Sequence, residues 1–290
     1  MKTLLIHTLA LCLGLAANGA SAQADKPLTG KLVKASQVVG VKLFNQTADH
    51  IGEINDFYFD ENKGEIAYAV VAIGGWLGMG EELFAVPWKH IKQSDKDTMG
   101  FVLDVDKAKL KAAPHFGKKA WPVITDDWNS TTLTYFGTKP DRFKGMKLVR
   151  ASEVIGADLW NQKADKIGDI EELLLHPNSG KVAYGVVDIG MWAGYGDKLA
   201  TVPWSLIRES KEATPGYVLN VDKAKLTNEV SFARNTWPDY NDSAWNTRTY
   251  GYYGVPYYWM TPVVLLRLFH NASKSTACKF DPCRLVVRST

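Results

Sequence analysis

The sequence has little cysteine, little net charge and no apolar run long enough to cross a membrane. Three cysteines in 290 residues exclude a small scaffold held together by a disulfide framework. A formal net charge of +3 falls short of the basic excess that is typical of nucleic-acid-binding domains. The longest apolar run, at the N-terminus, has about 15 residues, whereas a bilayer-spanning helix needs about 20. With 46% hydrophobic and 22% charged residues, the composition indicates a globular protein.

The first 22 residues have the three parts of a secretory signal peptide. Lys2 gives a positive start, residues 3–17 are mostly apolar, and Ala20-Ser-Ala22 is a small-residue cleavage site. We predict cleavage after Ala22, so that Cys12 leaves with the signal peptide. The alternative, an uncleaved N-terminal anchor, is disfavoured because the apolar run is too short. The sequence therefore predicts a periplasmic or secreted protein with no transmembrane anchor after cleavage.

The C-terminal tail differs in charge from the rest of the mature chain. Residues 261–290 carry a charge of +4, whereas residues 23–260 sum to −2. The tail also holds Cys278 and Cys283, the only cysteines that remain after cleavage. Because an exported protein meets an oxidising compartment, the pair favours a small disulfide loop. A zinc site is the weaker alternative, since no histidine is near in sequence.

The mature sequence consists of two copies of one unit. A shift of 116 positions aligns residues 32–122 with residues 148–238 without a gap, and about half of the positions are identical. Val86-Pro-Trp88, for example, matches Val202-Pro-Trp204. A period this long indicates duplication of a whole domain and not a solenoid of short repeats.

Each unit has a pattern of short strands separated by glycine-containing turns. Residues 65–73 are almost continuously apolar, which predicts a strand buried on both faces. Asp106 precedes a short helical segment as its predicted N-cap. We therefore predict a small β-barrel or sandwich in each unit. The expected division is a signal peptide at 1–22, domains at 31–139 and 140–236, and an aromatic arm with a basic tail at 237–290.

The repeated motifs resemble the PRC-barrel domain, which is named after the H subunit of the photosynthetic reaction centre. They are Ile51-Gly-Glu-Ile54, Ile66-Ala-Tyr68, a glycine-rich loop and Val86-Pro-Trp88, each with a counterpart in the second unit. The resemblance covers residues 31–110 and 147–226. It implies a mainly β protein with two tandem six-stranded barrels, short helices and an aromatic-rich C-terminal extension. It implies no single activity, because members of the family act as structural or docking modules.

No catalytic set is shared by the two copies. His50 is matched by Lys166 and His90 by Leu206, and no Ser/His/Asp or Cys/His constellation stands out. We therefore predict that the protein is not an enzyme and that it uses no metal or other cofactor. The shared polar residues are interpreted as turn-closing or capping residues, with partner contacts as the alternative. They are Ser36/Ser152, Asn45/Asn161, Gln46/Gln162, Asp49/Asp165, Asp106/Asp222 and Lys107/Lys223.

The aromatic residues fall into two groups. Tyr68, Trp88 and their counterparts in the second unit are predicted to lie in the cores. A second concentration, at 237–259, is either an arm that wraps its own barrel or an adhesive surface for a protein, a glycan or an apolar ligand. Nucleic acid is not expected there, because only Arg248 is a nearby cation. The candidate partner-binding residues are Trp76, Trp192, Trp245, Tyr250, Tyr252, Tyr253, Tyr257, Tyr258 and Trp259.

These features together predict a non-catalytic binding or scaffold protein of the bacterial cell envelope, with one or more protein partners there. Two alternatives remain open at this point. One is a carrier of a hydrophobic ligand such as a quinone or pigment, and the other is a photosynthetic-complex-related assembly factor. The sequence makes no prediction of the oligomeric state.

Overall fold

The computed structural model describes residues 31–74, 81–94, 100–190, 196–210, 216–221, 223–227 and 230–256. Several predicted features lie outside the described residues: the signal peptide at 1–22, Trp76, Trp192, Tyr257, Tyr258, Trp259, Cys278 and Cys283.

The first half of the chain contains eight strands, two α-helices and two 3-10 helices among its described residues. The bounds of the strands and α-helices are β1 (Val33–Lys34), β2 (Lys42–Phe44), β3 (His50–Asp60), β4 (Ile66–Ile73), β5 (Glu82–Pro87), β6 (Ile91–Gln93), β7 (Phe101–Leu103), α1 (Lys107–Lys111), β8 (His115–Gly117) and α2 (Asp126–Tyr135).

The elements of the second half follow the same order, except that an α-helix stands where the first half has the 3-10 helix Ala35–Gln37. Their bounds are β9 (Leu148–Arg150), α3 (Ala151–Val154), β10 (Asp158–Trp160), β11 (Lys166–His176), β12 (Lys181–Asp188), β13 (Lys198–Pro203), β14 (Ile207–Glu209), β15 (Tyr217–Leu219), α4 (Lys223–Thr227), β16 (Ser231–Ala233) and α5 (Ser243–Tyr253).

The strands form two 8-stranded sheets. The first has the order β6-β7-β2-β3-β4-β5-β8, with β9 also paired to β3. The second has the order β14-β15-β10-β11-β12-β13-β16, with β1 also paired to β11. Neighbouring strands are antiparallel except for the pairs β2/β7 and β10/β15.

The sheets are open, so the prediction of closed six-stranded barrels is wrong for the described part of the chain. The end strands β6 and β8 do not pair with each other there, and neither do β14 and β16. One edge of β3 is divided between two partners: residues 50–53 pair with β2, and residues 58–60 pair with β9. Each sheet therefore branches at its longest strand, where a strand from the other half of the chain is attached.

Each domain gives its first strand to the other domain. In the second sheet, Val33 of β1 lies opposite Leu175 of β11. In the first sheet, Val149 of β9 lies opposite Phe59 of β3. The exchange is reciprocal at equivalent positions, which is the relation that a two-fold axis produces. One hydrophobic cluster accordingly contains buried residues of both domains.

The central strand β4 is buried along its whole length, which confirms that its apolar run is covered on both faces. Alternate residues face opposite sides of a strand. Val71 belongs to the core shared by the domains, whereas Tyr68 and Val70 pack with Leu133 of α2 on the other side. In the second domain, Tyr184 and Val186 of β12 cluster in the same way with aromatic side chains of α5.

Candidate functional site

The contact between the two domains, here called the seam, is held by a buried carboxylate on each side. Ser152 donates its Oγ hydrogen to Oδ2 of Asp56 at 2.6 Å, and Ser36 does the same to Oε2 of Glu172. The backbone N–H groups of both serines also donate to these carboxylates, each at 3.3 Å. Burial raises the pKa of Asp56, although the bonds from Ser152 offset part of that effect. The turn after each exchanged strand is thereby fixed to the opposite domain.

The two serines were recognised from the sequence as shared polar residues, whereas the two acids were missed. Ser36 was interpreted as a turn-closing or capping residue, whereas its partner Glu172 lies 136 residues away in the chain. A recognisable pattern was present, because Asp56 and Glu172 interrupt apolar strands at equivalent positions of the repeat. An acid at the same buried position in both copies indicates that each carboxylate has a hydrogen-bond donor or a cation beside it, since burial of an unpaired carboxylate is costly.

The repeated tryptophans close the seam from both sides. Trp88 and Trp204 are buried, as predicted. Trp88 donates its indole N–H to the carbonyl of Pro177 at 2.8 Å, and Trp204 donates to the carbonyl of Glu61 at 3.0 Å. Each bond therefore links the core of one domain to the hairpin loop of the other, at equivalent positions of the repeat.

A cation from each exchanged strand stacks on a tryptophan of the opposite domain. Lys34 Nζ lies 3.4 Å from the ring centroid of Trp237, and Arg150 Cζ lies 4.4 Å from that of Trp121. Both pairs are again equivalent in the repeat. Such contacts stabilise by about 0.5–1 kcal/mol at exposed sites.

Helices α2 and α5 occupy the same place in the two domains. The hydroxyl of Tyr68 donates to the side-chain carbonyl of Asn129 in α2 at 2.9 Å. The hydroxyl of Tyr184 donates to Asn246 in α5 at 2.6 Å. The two buried tyrosines are thereby satisfied by matching asparagines, which places each helix on the outer face of its own sheet.

The gapless alignment at a shift of 116 positions does not show that α2 and α5 are equivalent. A shift of 117, and not 116, aligns residues 125–137 with residues 242–254. Trp128 then matches Trp245, and Asn129 matches Asn246. One extra residue before α5 therefore concealed the end of the repeat, and a comparison that allowed a single gap shows it.

The aromatic residues of the C-terminal group that lie among the described residues pack on the second domain. Trp245, Tyr250 and Tyr253 are buried, and Tyr252 is partly exposed. The hydroxyl of Tyr250 donates to the carbonyl of Ala183 at 3.1 Å. The described aromatic residues therefore pack on their own domain, as in the alternative of an arm that wraps its own barrel. Residues 237–256 cover the second domain as α2 covers the first.

The repeated polar turn has a structural role in both copies. Asn45 Oδ1 accepts the backbone N–H of Asp49 at 2.7 Å, and Asn161 accepts that of Asp165 at 2.9 Å. Ala48 adopts a left-handed conformation with φ of 66°, which the asparagine bonds hold in place. The turn-closing interpretation of these residues is confirmed.

Two grooves open along the seam, one beside each hairpin loop that crosses it. The first, here called the basic groove, has a volume of about 470 Å³. Its charged lining residues are Glu65, Lys89, Lys92 and Arg142. The second, the acidic groove, has a volume of about 400 Å³, and its charged lining residues are Glu61, Lys147, Glu153, Asp158 and Glu209.

In the basic groove, the single acid is already paired. The Glu65 carboxylate lies 3.0 Å from Arg142 Nη2 and 3.4 Å from Lys181 Nζ. Burial raises the pKa of Glu65, but the two cations outweigh burial and hold it below its usual value. Lys89 and Lys92 are exposed, so positive charge is in excess.

In the acidic groove, a buried acid shares one lysine with an exposed acid. Glu61 is 3% exposed, and its Oε2 lies 3.2 Å from Lys147 Nζ, which also pairs with Glu209. Burial raises the pKa of Glu61 despite bonds from Tyr217 and Lys147. Burial also raises the pKa of Tyr217, which the nearby Glu61 charge raises further. The phenol is therefore a donor and not a phenolate at neutral pH.

The charge of the acidic groove does not come from the fold. At the equivalent positions of the other half, each acid is replaced by a neutral or basic residue. The pairs are Glu61/Pro177, Glu153/Gln37, Asp158/Lys42, Glu209/Gln93 and Tyr217/Phe101. The grooves can therefore bind groups of opposite charge, although they flank a two-fold seam. No group of His, Cys, Asp and Glu suited to a metal ion occurs among the described residues.

The fold and the seam define a protein of two tandem, mainly β domains that are joined by exchanged strands. A family model of the PRC-barrel domain matches residues 31–110 and 146–226, more than half of the chain. The chain therefore belongs to the PRC-barrel family. A search of the curated proteins found no match. Within the part of the chain described here, no helix is both long enough and apolar enough to span a membrane.

Proposed function

We propose that this tandem PRC-barrel protein is a non-catalytic binding or scaffold protein of the bacterial cell envelope. The observation that carries the proposal is the pair of oppositely charged grooves on one seam. Two domains that share a core and exchange strands present both grooves from one body. Since the grooves differ in charge at equivalent positions, the duplicated unit has diverged in its grooves, while the serine, indole and cation contacts of the seam remain matched.

The envelope location rests on the predicted signal peptide at residues 1–22. The non-catalytic role rests on the lack of a repeated catalytic set in the sequence. Asp56 and Glu61, whose pKa values are raised, each have a neighbour across the seam that gives them a role in holding it: Asp56 accepts from Ser152, and Glu61 pairs with Lys147. These assignments favour binding over chemistry, because the groups are engaged by residues of the protein itself.

Affinity purification of the full chain from the envelope fraction of its own host tests the proposal. We expect reproducible recovery of at least one protein partner, with a resin-only purification as the control. Native mass spectrometry of the same material distinguishes the alternatives. A small molecule that co-purifies in stoichiometric amount favours the ligand carrier, and steady turnover on a substrate panel that a single substitution abolishes contradicts the non-enzyme assignment.

A further inference from the structure

We infer that the basic groove binds an acidic peptide segment of a protein partner. The inference deepens the proposed function and rests on it. It assigns the ligand class of one groove from the charges, shape and hydrogen-bonding groups of its lining.

The basic groove has an excess of positive charge. Three cations line the groove, namely Lys89, Lys92 and Arg142, against the single acid Glu65. Glu65 is already neutralised by Arg142 and Lys181. Among the described residues, Lys92 has no ion pair, and Lys89 contacts only a backbone carbonyl at 3.2 Å. Two exposed ammonium groups are thus free to attract carboxylates, and such attraction raises the association rate.

The basic groove combines an apolar floor with a polar rim. Its floor is apolar, because Ile66, Trp88 and Ile91 are buried there. Its rim carries polar side chains, including Gln93 and Ser179, beside the lysines. A volume of about 470 Å³ lies within the range of sites for small ligands. An apolar floor with a charged rim suits glutamate side chains, whose methylene groups pack on the floor while the carboxylates reach the rim.

The acidic groove on the other side of the seam does not offer the same binding site. Lys147, the cation among the described residues that line this groove, is already paired with Glu61 and Glu209, so no free cation there attracts the same peptide. Duplication of the unit therefore does not duplicate the binding site. We expect one acidic segment per chain, although the seam has two equivalent sides.

Isothermal titration of the full chain with a hexaglutamate peptide tests the inference. At low salt we expect binding with a stoichiometry of one, which weakens as the salt screens the charges. The K89Q/K92Q variant is expected to bind about tenfold more weakly, because it loses both free cations. The matched control is R208Q, which removes the cation at the position equivalent to Lys92 in the second domain and is expected to bind like the wild type.

Three results of the peptide titrations overturn the inference. They are the absence of hexaglutamate binding at low salt, equal binding by wild type and K89Q/K92Q, and an equal loss in R208Q. Inorganic phosphate at matched ionic strength is the second probe, and full displacement of the peptide by phosphate at an equal concentration shows a free-anion site instead. If K89Q/K92Q still recovers the envelope partner, the proposed function stands and this groove is not its site. If hexaglutamate binds as expected but no partner is recovered, the proposed function fails by itself.

Discussion

The two sides of the seam share the contacts of their serines, tryptophans and stacked cations, and they differ in the charge of their grooves. Three kinds of contact have an equivalent on each side: serine on carboxylate, indole on carbonyl and cation on tryptophan. The groove residues have diverged in charge, from Glu61 to Pro177 and from Glu209 to Gln93. The difference shows that the contacts that join the domains were kept in both copies, whereas the residues that line the grooves diverged.

Trp204→Ala is expected to have the largest effect and to match Trp88→Ala. Each change removes a buried indole and its bond across the seam. Truncation of a buried tryptophan costs about 3–5 kcal/mol. Urea unfolding of both variants measures the free energies. A loss in one variant that is less than half of the loss in the other contradicts the equivalence of the two sides.

Ser152→Ala and Ser36→Ala are expected to destabilise by about 1–3 kcal/mol each, because a buried carboxylate oxygen is left without its hydroxyl donor. The serines belong to separate hydrogen-bond groups, so the S36A/S152A double variant is expected to show the sum of the two losses. Chemical denaturation checks this. Losses near zero in both single variants show that the carboxylates find other donors.

Glu65→Gln and Glu61→Gln are expected to have opposite pH dependences. The folded pKa of Glu65 is lowered, so its charge stabilises at neutral pH, and this contribution is lost as the pH falls through the folded pKa. The folded pKa of Glu61 is raised, so its contribution is fully present in acid and is lost as the pH rises through the folded value.

E65Q should therefore cost most at neutral pH, up to about 1 kcal/mol for this partly exposed pair. E61Q should become more favourable relative to wild type as the pH rises from about 4 to 7. Unfolding free energies at several pH values measure both slopes. Two slopes of the same sign contradict the assigned environments.

The smallest effect is expected from the stacked cations. Lys34→Gln and Arg150→Gln each remove one cation from a tryptophan face, at a cost of about 0.5 kcal/mol. Thermal unfolding of the two variants beside wild type measures the change. A high-salt repeat that removes the difference entirely attributes it to long-range charge instead of stacking.

Much of the fold could be predicted because local patterns determine it. The duplication, the buried Trp88 and Trp204, the polar turn at Asn45 and the N-cap at Asp106 all follow from the sequence and appear in the structure. The strand exchange could not be predicted, because Val33–Lys34 has the same alternation whichever sheet it joins. The acids of the acidic groove were also missed, since their grouping depends on strands that only the seam brings together.

The exchange of strand β1 also affects the order in which the elements of the chain can fold. It is the first element of the described chain to leave the ribosome, but its partner β11 lies in the second half. During synthesis from the N-terminus, β1 has no strand to pair with until the second domain has been made. The same delay applies if the protein crosses a membrane in the unfolded state. We therefore expect folding to begin with β2 to β5 and to end with β1. A chaperone that shields exposed segments of the new chain would find its longest-lived target at β1.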